Sequence, residues 1–122
     1  MATTKNQSFL SRLRFALAGL LYGLRIERSL RFQAAVFVLV LIALAVLRPE
    51  AVWWALVLLA SCAVFTAELF NTTLEHLIDH LHPATHSQIR VVKDCAAAAV
   101  LVTVFGAIAV GIALAVHLLS RI

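Results

Sequence analysis

Three long apolar runs, separated by short polar segments, most limit how this chain can fold. The first apolar run covers residues 30–47, with Arg31 as its single charged residue, a second covers 51–65, and a third extends over 91–119. A helix of about 20 residues crosses a hydrocarbon core of about 30 Å. With 63% of its 122 residues hydrophobic and 13% charged, the chain lacks the polar surface that a water-soluble domain of this size needs. The sequence therefore predicts a single all-α membrane domain over residues 1–122.

The segment before the first run predicts an amphipathic helix over residues 8–28. Its leucines recur at helical spacing, while Arg12, Arg14 and Arg25 interrupt the run too often for it to cross a membrane. We expect this helix to lie on the membrane surface. Membrane helices are expected at 30–47, 51–80 and 91–119, with the second continuing into water before a polar loop over 82–90.

The distribution of basic residues predicts the topology. Most of them lie before the first span or between the second and third, and few lie at the opposite ends: the first group is Lys5, Arg12, Arg14, Arg25, Arg28, Arg31, Arg90 and Lys93, and the second is Arg48 and Arg121. The positive-inside rule then places the N terminus and the 82–90 loop in the cytoplasm and the C terminus outside a bacterial inner membrane. Anionic lipid headgroups explain the net charge of +4 better than nucleic acid does, and no nucleic-acid partner is expected.

Polar residues follow one face of the second membrane helix. At about 100° per residue, Glu68, Asn71, Glu75 and Asp79 fall within an arc of about 80°. Stacked carboxylates repel each other unless a cation lies among them, and Mg²⁺ is usually held by one or two carboxylates plus substrate phosphates. The third membrane helix opens with Lys93 and Asp94, a cation for phosphate and a further carboxylate. Glu27, at the end of the surface helix, is expected to reach the same layer.

Residues 68–79, ELFNTTLEHLID, resemble the signature of the prokaryotic diacylglycerol kinase family. His86 and the pair Lys93–Asp94 also match this family, and Ala18–Gly19 and residues 27–31 match it more loosely. The resemblance covers nearly the whole chain. It implies a homotrimeric helical bundle of three-span protomers, each with a surface helix and with active sites shared between neighbours. It also implies transfer of the ATP γ-phosphoryl to a membrane lipid hydroxyl, with Mg²⁺.

The resemblance also implies roles for individual residues. Glu68 matches the general base, and Glu27 and Glu75 match residues that hold the metal with ATP. The nucleotide-site positions are Asn71, Asp79, His86, Lys93, Asp94 and Arg12, and the lipid-site positions are Ala18, Arg31 and Glu68. The lipid itself stays open between diacylglycerol and undecaprenol. A short junction before residues 27–31 leans slightly toward the undecaprenol branch, and Gln33, where the Gram-negative diacylglycerol form has a second acid, weakens the transfer of that form's substrate contacts.

Three other readings of the same residues remain open from the sequence. The acidic stripe can be a set of interfacial charges that reach for water, although this explains Glu68 poorly because it follows a long apolar run. His76 and His80, spaced i and i+4 near His82 and His86, fit a histidine-rich metal transporter or sensor. A non-catalytic membrane assembly subunit explains the apolar runs but not the polar stripe.

Overall fold

Four α-helices make up the computed structural model, which describes residues 7–122. They are α1 (Phe9–Ile26), α2 (Arg28–Leu47), α3 (Ala51–Leu81) and α4 (Ser87–Leu119). The last three are long and apolar enough to cross a membrane. This confirms the predicted all-α membrane protein with three apolar spans. The surface position of α1 and the homotrimer stay predictions, and Lys5, used in the topology argument, lies outside the described residues.

A one-residue break at Glu27 separates α1 from α2. Glu27 is extended (φ −100°, ψ 117°), and its backbone N–H donates to the carbonyl oxygen of Gly23 at 2.8 Å. Arg31 Nη1 donates to the carbonyl oxygens of Leu24 (3.1 Å) and Arg25 (2.7 Å). These carbonyls have no partner within the helix, so Arg31 caps α1. The predicted boundaries shift accordingly, since α1 ends at Ile26 rather than 28 and α2 begins at Arg28 rather than 30.

The corner between α1 and α2 is held by a close approach at Gly23. A Cβ added there would meet Cδ2 of Leu30 and Cδ2 of Leu69, each at 3.1 Å. Leu30 is completely buried. Gly23 therefore lets the end of α1 lie directly against α2 and α3, and this contact fixes where residues 27–31 sit relative to α3.

The connection from α2 to α3 consists of residues 48–50, and its last residue, Glu50, is held by ion pairs. Arg48 adopts the left-handed conformation (φ 50°) and its N–H donates to Leu44. Glu50 then contacts His117 Nε2 in α4 at 3.1 Å and Arg121 Nη1, just beyond the end of α4, at 2.6 Å. The pKa of the Glu50 carboxyl is lowered, most strongly by a hydrogen bond from its own backbone; desolvation opposes this, and His117 and Arg121 add to it.

The start of α4 differs from the expectation. The helix begins at Ser87, inside the segment 82–90 predicted as a loop and four residues before the predicted start at 91. The reason is a cap that the sequence analysis did not anticipate: His86 Nδ1 accepts a hydrogen bond from the Gln88 N–H at 3.1 Å. His86 thus has a structural role at the α3–α4 turn in addition to any role in binding.

Helix lengths make the molecule asymmetric along its long axis. The 20 residues of α2 span about 30 Å, whereas the 31 of α3 and 33 of α4 span about 46 and 50 Å. Because only residues 48–50 connect α2 to α3, the excess length projects from the opposite end. Glu68 lies 17 residues after Ala51, about 26 Å along α3, which places it near the boundary of a core of about 30 Å.

Candidate active site

Glu68 is the only buried charged residue in the part of the chain that the structure describes. It is 6% exposed, and its Oε2 accepts a hydrogen bond of 3.1 Å from Ser29 Oγ, in the first turn of α2. Burying a carboxylate is costly unless it is hydrogen-bonded. In membrane segments such groups are rare and mark functional sites. Glu68 is therefore the centre of the candidate site.

The polar stripe leads outward from Glu68 along α3. Asn71 and Glu75 are half-buried and Asp79 is exposed. The Asn71 Oδ1 atom is buried and has no hydrogen-bond partner among residues 7–122. Asp79 lies 11 residues beyond Glu68, about 16 Å along the helix axis. Along this face of α3, the side chains thus change from buried at Glu68 to exposed at Asp79.

The α1–α2 corner brings Glu27 close to α3, at the level of the polar stripe. Glu27 Oε1 lies 3.8 Å from His76 Nε2, and the His76 ring meets Tyr22 edge-on, with centroids 6.2 Å apart. The Glu27–His76 distance is too long for a hydrogen bond. It does place Glu27 at the turn of α3 that contains Glu75, so the two acids predicted to hold metal lie at one level of the molecule.

A second polar cluster lies where α3 turns into α4. Lys93 Nζ donates to Asp79 Oδ1 at 2.5 Å. The pair borders a cavity of about 250 Å³, whose polar and charged lining consists of Asp79, His82, Thr85, His86, Arg90, Lys93 and Asp94. Several of these side chains carry or can carry positive charge, so the cavity suits an anionic group.

The predicted site residues therefore fall into two groups within the chain. Glu27 lies in the α1–α2 corner beside the part of α3 that carries Glu68, Asn71 and Glu75, and Asp79, His86, Lys93 and Asp94 lie at the α3–α4 turn. Arg12 and Ala18 are exposed on α1, and Arg31 caps α1.

Two residues of the corner were not anticipated from the sequence. Ser29 belongs to residues 27–31, which match the family only loosely, and Gly23 received no role from the sequence. A hydroxyl two residues after Glu27 gave a weak signal for Ser29. Nothing local indicated the contact of Gly23 with Leu30 and Leu69.

The residues present fit a magnesium ion better than a transition metal. The residues that the structure describes contain no group of three or more His, Cys, Asp or Glu side chains able to enclose a metal. Zinc sites need such a group. Mg²⁺ is commonly held by one or two carboxylates together with substrate phosphates, which is what Glu27 and Glu75 can offer. The arrangement does not favour the histidine-rich transporter or sensor.

Comparison with known proteins gives the family. The family model described as prokaryotic diacylglycerol kinase matches residues 14–115. The chain belongs to the prokaryotic diacylglycerol kinase family. The matched region contains both clusters and excludes Arg12, so the family match gives no support to the nucleotide role expected of that residue.

Two curated relatives of this diacylglycerol kinase family member carry different names. The chain is 37% identical over 99 residues to a diacylglycerol kinase of Synechocystis sp., an alignment that covers 80% of this chain and 57% of the relative. It is 35% identical over 78 residues to an undecaprenol kinase of Bacillus subtilis, covering 64% of this chain and 63% of the relative. The chain thus spans about six tenths of the length of these relatives. No solved structure matches it.

Proposed function

We propose that this protein transfers the γ-phosphoryl group of MgATP to the hydroxyl of a membrane lipid, either diacylglycerol or undecaprenol. The observation that carries the proposal is the buried, hydrogen-bonded carboxylate of Glu68 within an apolar membrane helix. A carboxylate at the edge of the hydrocarbon core lies where a lipid hydroxyl and a water-borne nucleotide can meet. Membership of the family and the names of both relatives agree with this reaction.

Glu68 is proposed to act as the general base. The lipid oxygen attacks the γ-phosphorus while Glu68 takes the hydroxyl proton, a new P–O bond forms, and the bond to the oxygen bridging to the β-phosphate breaks. ADP leaves, and the product is the lipid phosphate. Phosphoryl transfer depends mainly on positioning and charge neutralisation, so a few well-placed side chains suffice in a chain without a phosphate-binding glycine loop.

Glu27 and Glu75 are proposed to hold Mg²⁺ together with the ATP phosphates. The bound ion would neutralise the charge of the transferring phosphoryl group. The approach of Glu27 to His76, the residue after Glu75, supports this assignment, because it brings Glu27 to the level of Glu75 along α3. The unpartnered Asn71 Oδ1 lies one turn nearer to Glu68 and faces the same layer by helical spacing.

The α3–α4 turn is proposed to bind the rest of the nucleotide. Lys93, Arg90 and His86 supply donors for phosphate, and Asp79 and Asp94 border the same cavity. Asp79 holds Lys93 in place through their ion pair. Since the turn and Glu68 are separated by about 16 Å along α3, a nucleotide lying lengthwise beside the helix would join them.

The proposal also includes an oligomeric state and a location in the cell. A homotrimer with active sites shared between neighbours would cover the large apolar side chains that one protomer exposes, such as Val102 and Phe105 on α4. The expected location is a bacterial inner membrane, with the N terminus and site cytoplasmic and the C terminus outside. Arg12, Ala18 and Arg31 keep their proposed nucleotide and lipid roles.

The test is a competition assay with the purified protein in mixed micelles. Radiolabelled ATP, with and without Mg²⁺, is offered with diacylglycerol and undecaprenol at equal concentration, and both lipid products are separated and counted. The expected result is Mg²⁺-dependent label in one or both lipids. Label in neither lipid, from protein that remains helical by circular dichroism, would refute the proposed function.

A matched pair of substitutions tests the base. Glu68→Gln should reduce turnover by at least about 100-fold, in the range typical of a lost general base. Glu50→Gln makes the same chemical change at the other end of α3, and it should leave turnover within about twofold. Equal turnover in the two variants would contradict the role of Glu68.

A further inference from the structure

We infer that Ser29 is a positioning residue that holds the carboxylate of Glu68 in one orientation for proton transfer. The inference rests on the proposed function and adds a residue for which the sequence gave no role. Its basis is the 3.1 Å hydrogen bond from Ser29 Oγ to Glu68 Oε2, which joins α2 to α3 across 39 residues of sequence.

The hydrogen bond gives the two carboxylate oxygens of Glu68 different roles. An ionised carboxylate only accepts hydrogen bonds, so the Ser29 hydroxyl must donate. In the part of the chain described by the structure, this is the one side-chain hydrogen bond found at Glu68. With Oε2 engaged, Oε1 is the oxygen left to receive the lipid proton. A single orientation of the base matters because small misplacements in a reacting geometry lower rates sharply.

The surroundings of Ser29 make it suitable for this task. Its neighbour Leu30 is completely buried and packs against Gly23, so the first turn of α2 cannot move without disturbing the α1–α2 corner. The Arg31 cap on the last turn of α1 restrains the same segment from the other side. Ser29 therefore presents its hydroxyl from a fixed piece of backbone, and a serine side chain has one short torsion to order.

The placement also links the two halves of the site. Glu27 and Ser29 belong to one short segment, in which Glu27 faces His76 and Ser29 bonds Glu68. Any shift of this segment would move the proposed metal-holding acid and the partner of the base together. Ser29 thus sets the orientation of Glu68 relative to the phosphoryl group that Glu27 helps to hold.

The experiment compares three variants in the lipid phosphorylation assay. Ser29→Ala removes the donor, Ser29→Thr keeps a hydroxyl on the same Cβ, and Ser61→Ala is the matched control, since Ser61 Oγ bonds only the Val57 carbonyl of its own helix. Ser29→Ala should lower kcat about 10- to 100-fold, the range expected when a hydrogen bond to a charged group is lost. Its KM for MgATP should stay within about twofold. Ser29→Thr should recover kcat to within about threefold of wild type.

The outcomes separate this inference from the proposed function. A general loosening of the corner would raise KM and lower kcat together and would not be rescued by Ser29→Thr; that pattern would overturn the positioning role. Wild-type kcat in Ser29→Ala, with Glu68→Gln inactive, would also overturn it and would leave the proposed function standing. Wild-type activity in Glu68→Gln would refute the base itself, whatever Ser29 does.

Discussion

Replacing Gly23 with alanine tests how tightly the α1–α2 corner is packed. The new Cβ would meet two leucine methyl carbons, on Leu30 and Leu69, at 3.1 Å. Carbon atoms prefer separations of about 3.5–4.0 Å, so both leucines must shift by several tenths of an ångström. Leu30 is completely buried and has little room to do so. Overpacking of this kind costs about 1–3 kcal/mol.

Helix propensity acts in the opposite direction. Alanine is favoured over glycine inside a helix by about 1 kcal/mol. The net effect expected for Gly23→Ala is therefore a loss of about 0–2 kcal/mol. Gly19 lies in the same helix with nothing within 4 Å of an added Cβ. Gly19→Ala should therefore gain about 0.5–1 kcal/mol, and the two variants should differ by about 0.5–3 kcal/mol.

Thermal unfolding in detergent, followed by fluorescence of Trp53 and Trp54, measures the difference. Gly19→Ala should unfold above the wild type and Gly23→Ala at or below it. Gly23→Ala should also lower kcat, because a displaced Leu30 moves the neighbouring Ser29. If Gly23→Ala raised the Tm as much as Gly19→Ala, the corner would be looser than described, and the argument from close packing would be wrong.

Three further predictions concern other parts of the molecule. Glu50→Gln should lower the Tm at pH 7, and the difference in Tm from wild type should close as the pH falls below about 4.5. A carboxyl whose pKa is lowered by folding stabilises the fold only while it is ionised, and protonation in acid removes that contribution. A Tm difference that widened in acid would contradict the lowered pKa of Glu50. Lys93→Met removes the positive charge but keeps a side chain of similar length, so it should raise the KM for MgATP about tenfold or more. An unchanged KM would exclude Lys93 from nucleotide binding. In a background of Cys62→Ala and Cys95→Ala, needed because both thiols are exposed, Ser120→Cys should react with an impermeant maleimide added outside intact cells; labelling only after lysis would invert the topology.

Hydropathy and charge were sufficient to predict the three apolar spans, because both are properties of local sequence. The polar face of α3 was also readable, since residues 68, 71, 75 and 79 share one helix and their relative directions follow from its period. The spacing alone did not predict that exposure increases along the stripe, from the buried Glu68 to the exposed Asp79.

Contacts between distant residues could not be read in the same way. The bond from Ser29 to Glu68 and the approach of Gly23 to Leu69 depend on how helices pack, and one sequence carries no direct record of that pairing. The start of α4 was misplaced because His86 was considered only as a ligand and not as a helix cap. Similarly, the hydrogen bonds from Arg31 Nη1 to the end of α1 were not anticipated, and the lipid role of Arg31 stays a prediction.

The unequal helix lengths have a consequence for how the lipid substrate would reach the proposed site. With only residues 48–50 between α2 and α3, little of the chain extends beyond that end of the spans, and every carboxylate of the candidate site lies towards the other end. In the proposed reaction, the protein would therefore serve only one leaflet. A lipid alcohol released on the opposite leaflet would have to flip across before Glu68 could reach it, so transbilayer movement of the substrate, rather than chemistry, can set the pace at which the phosphorylated lipid appears.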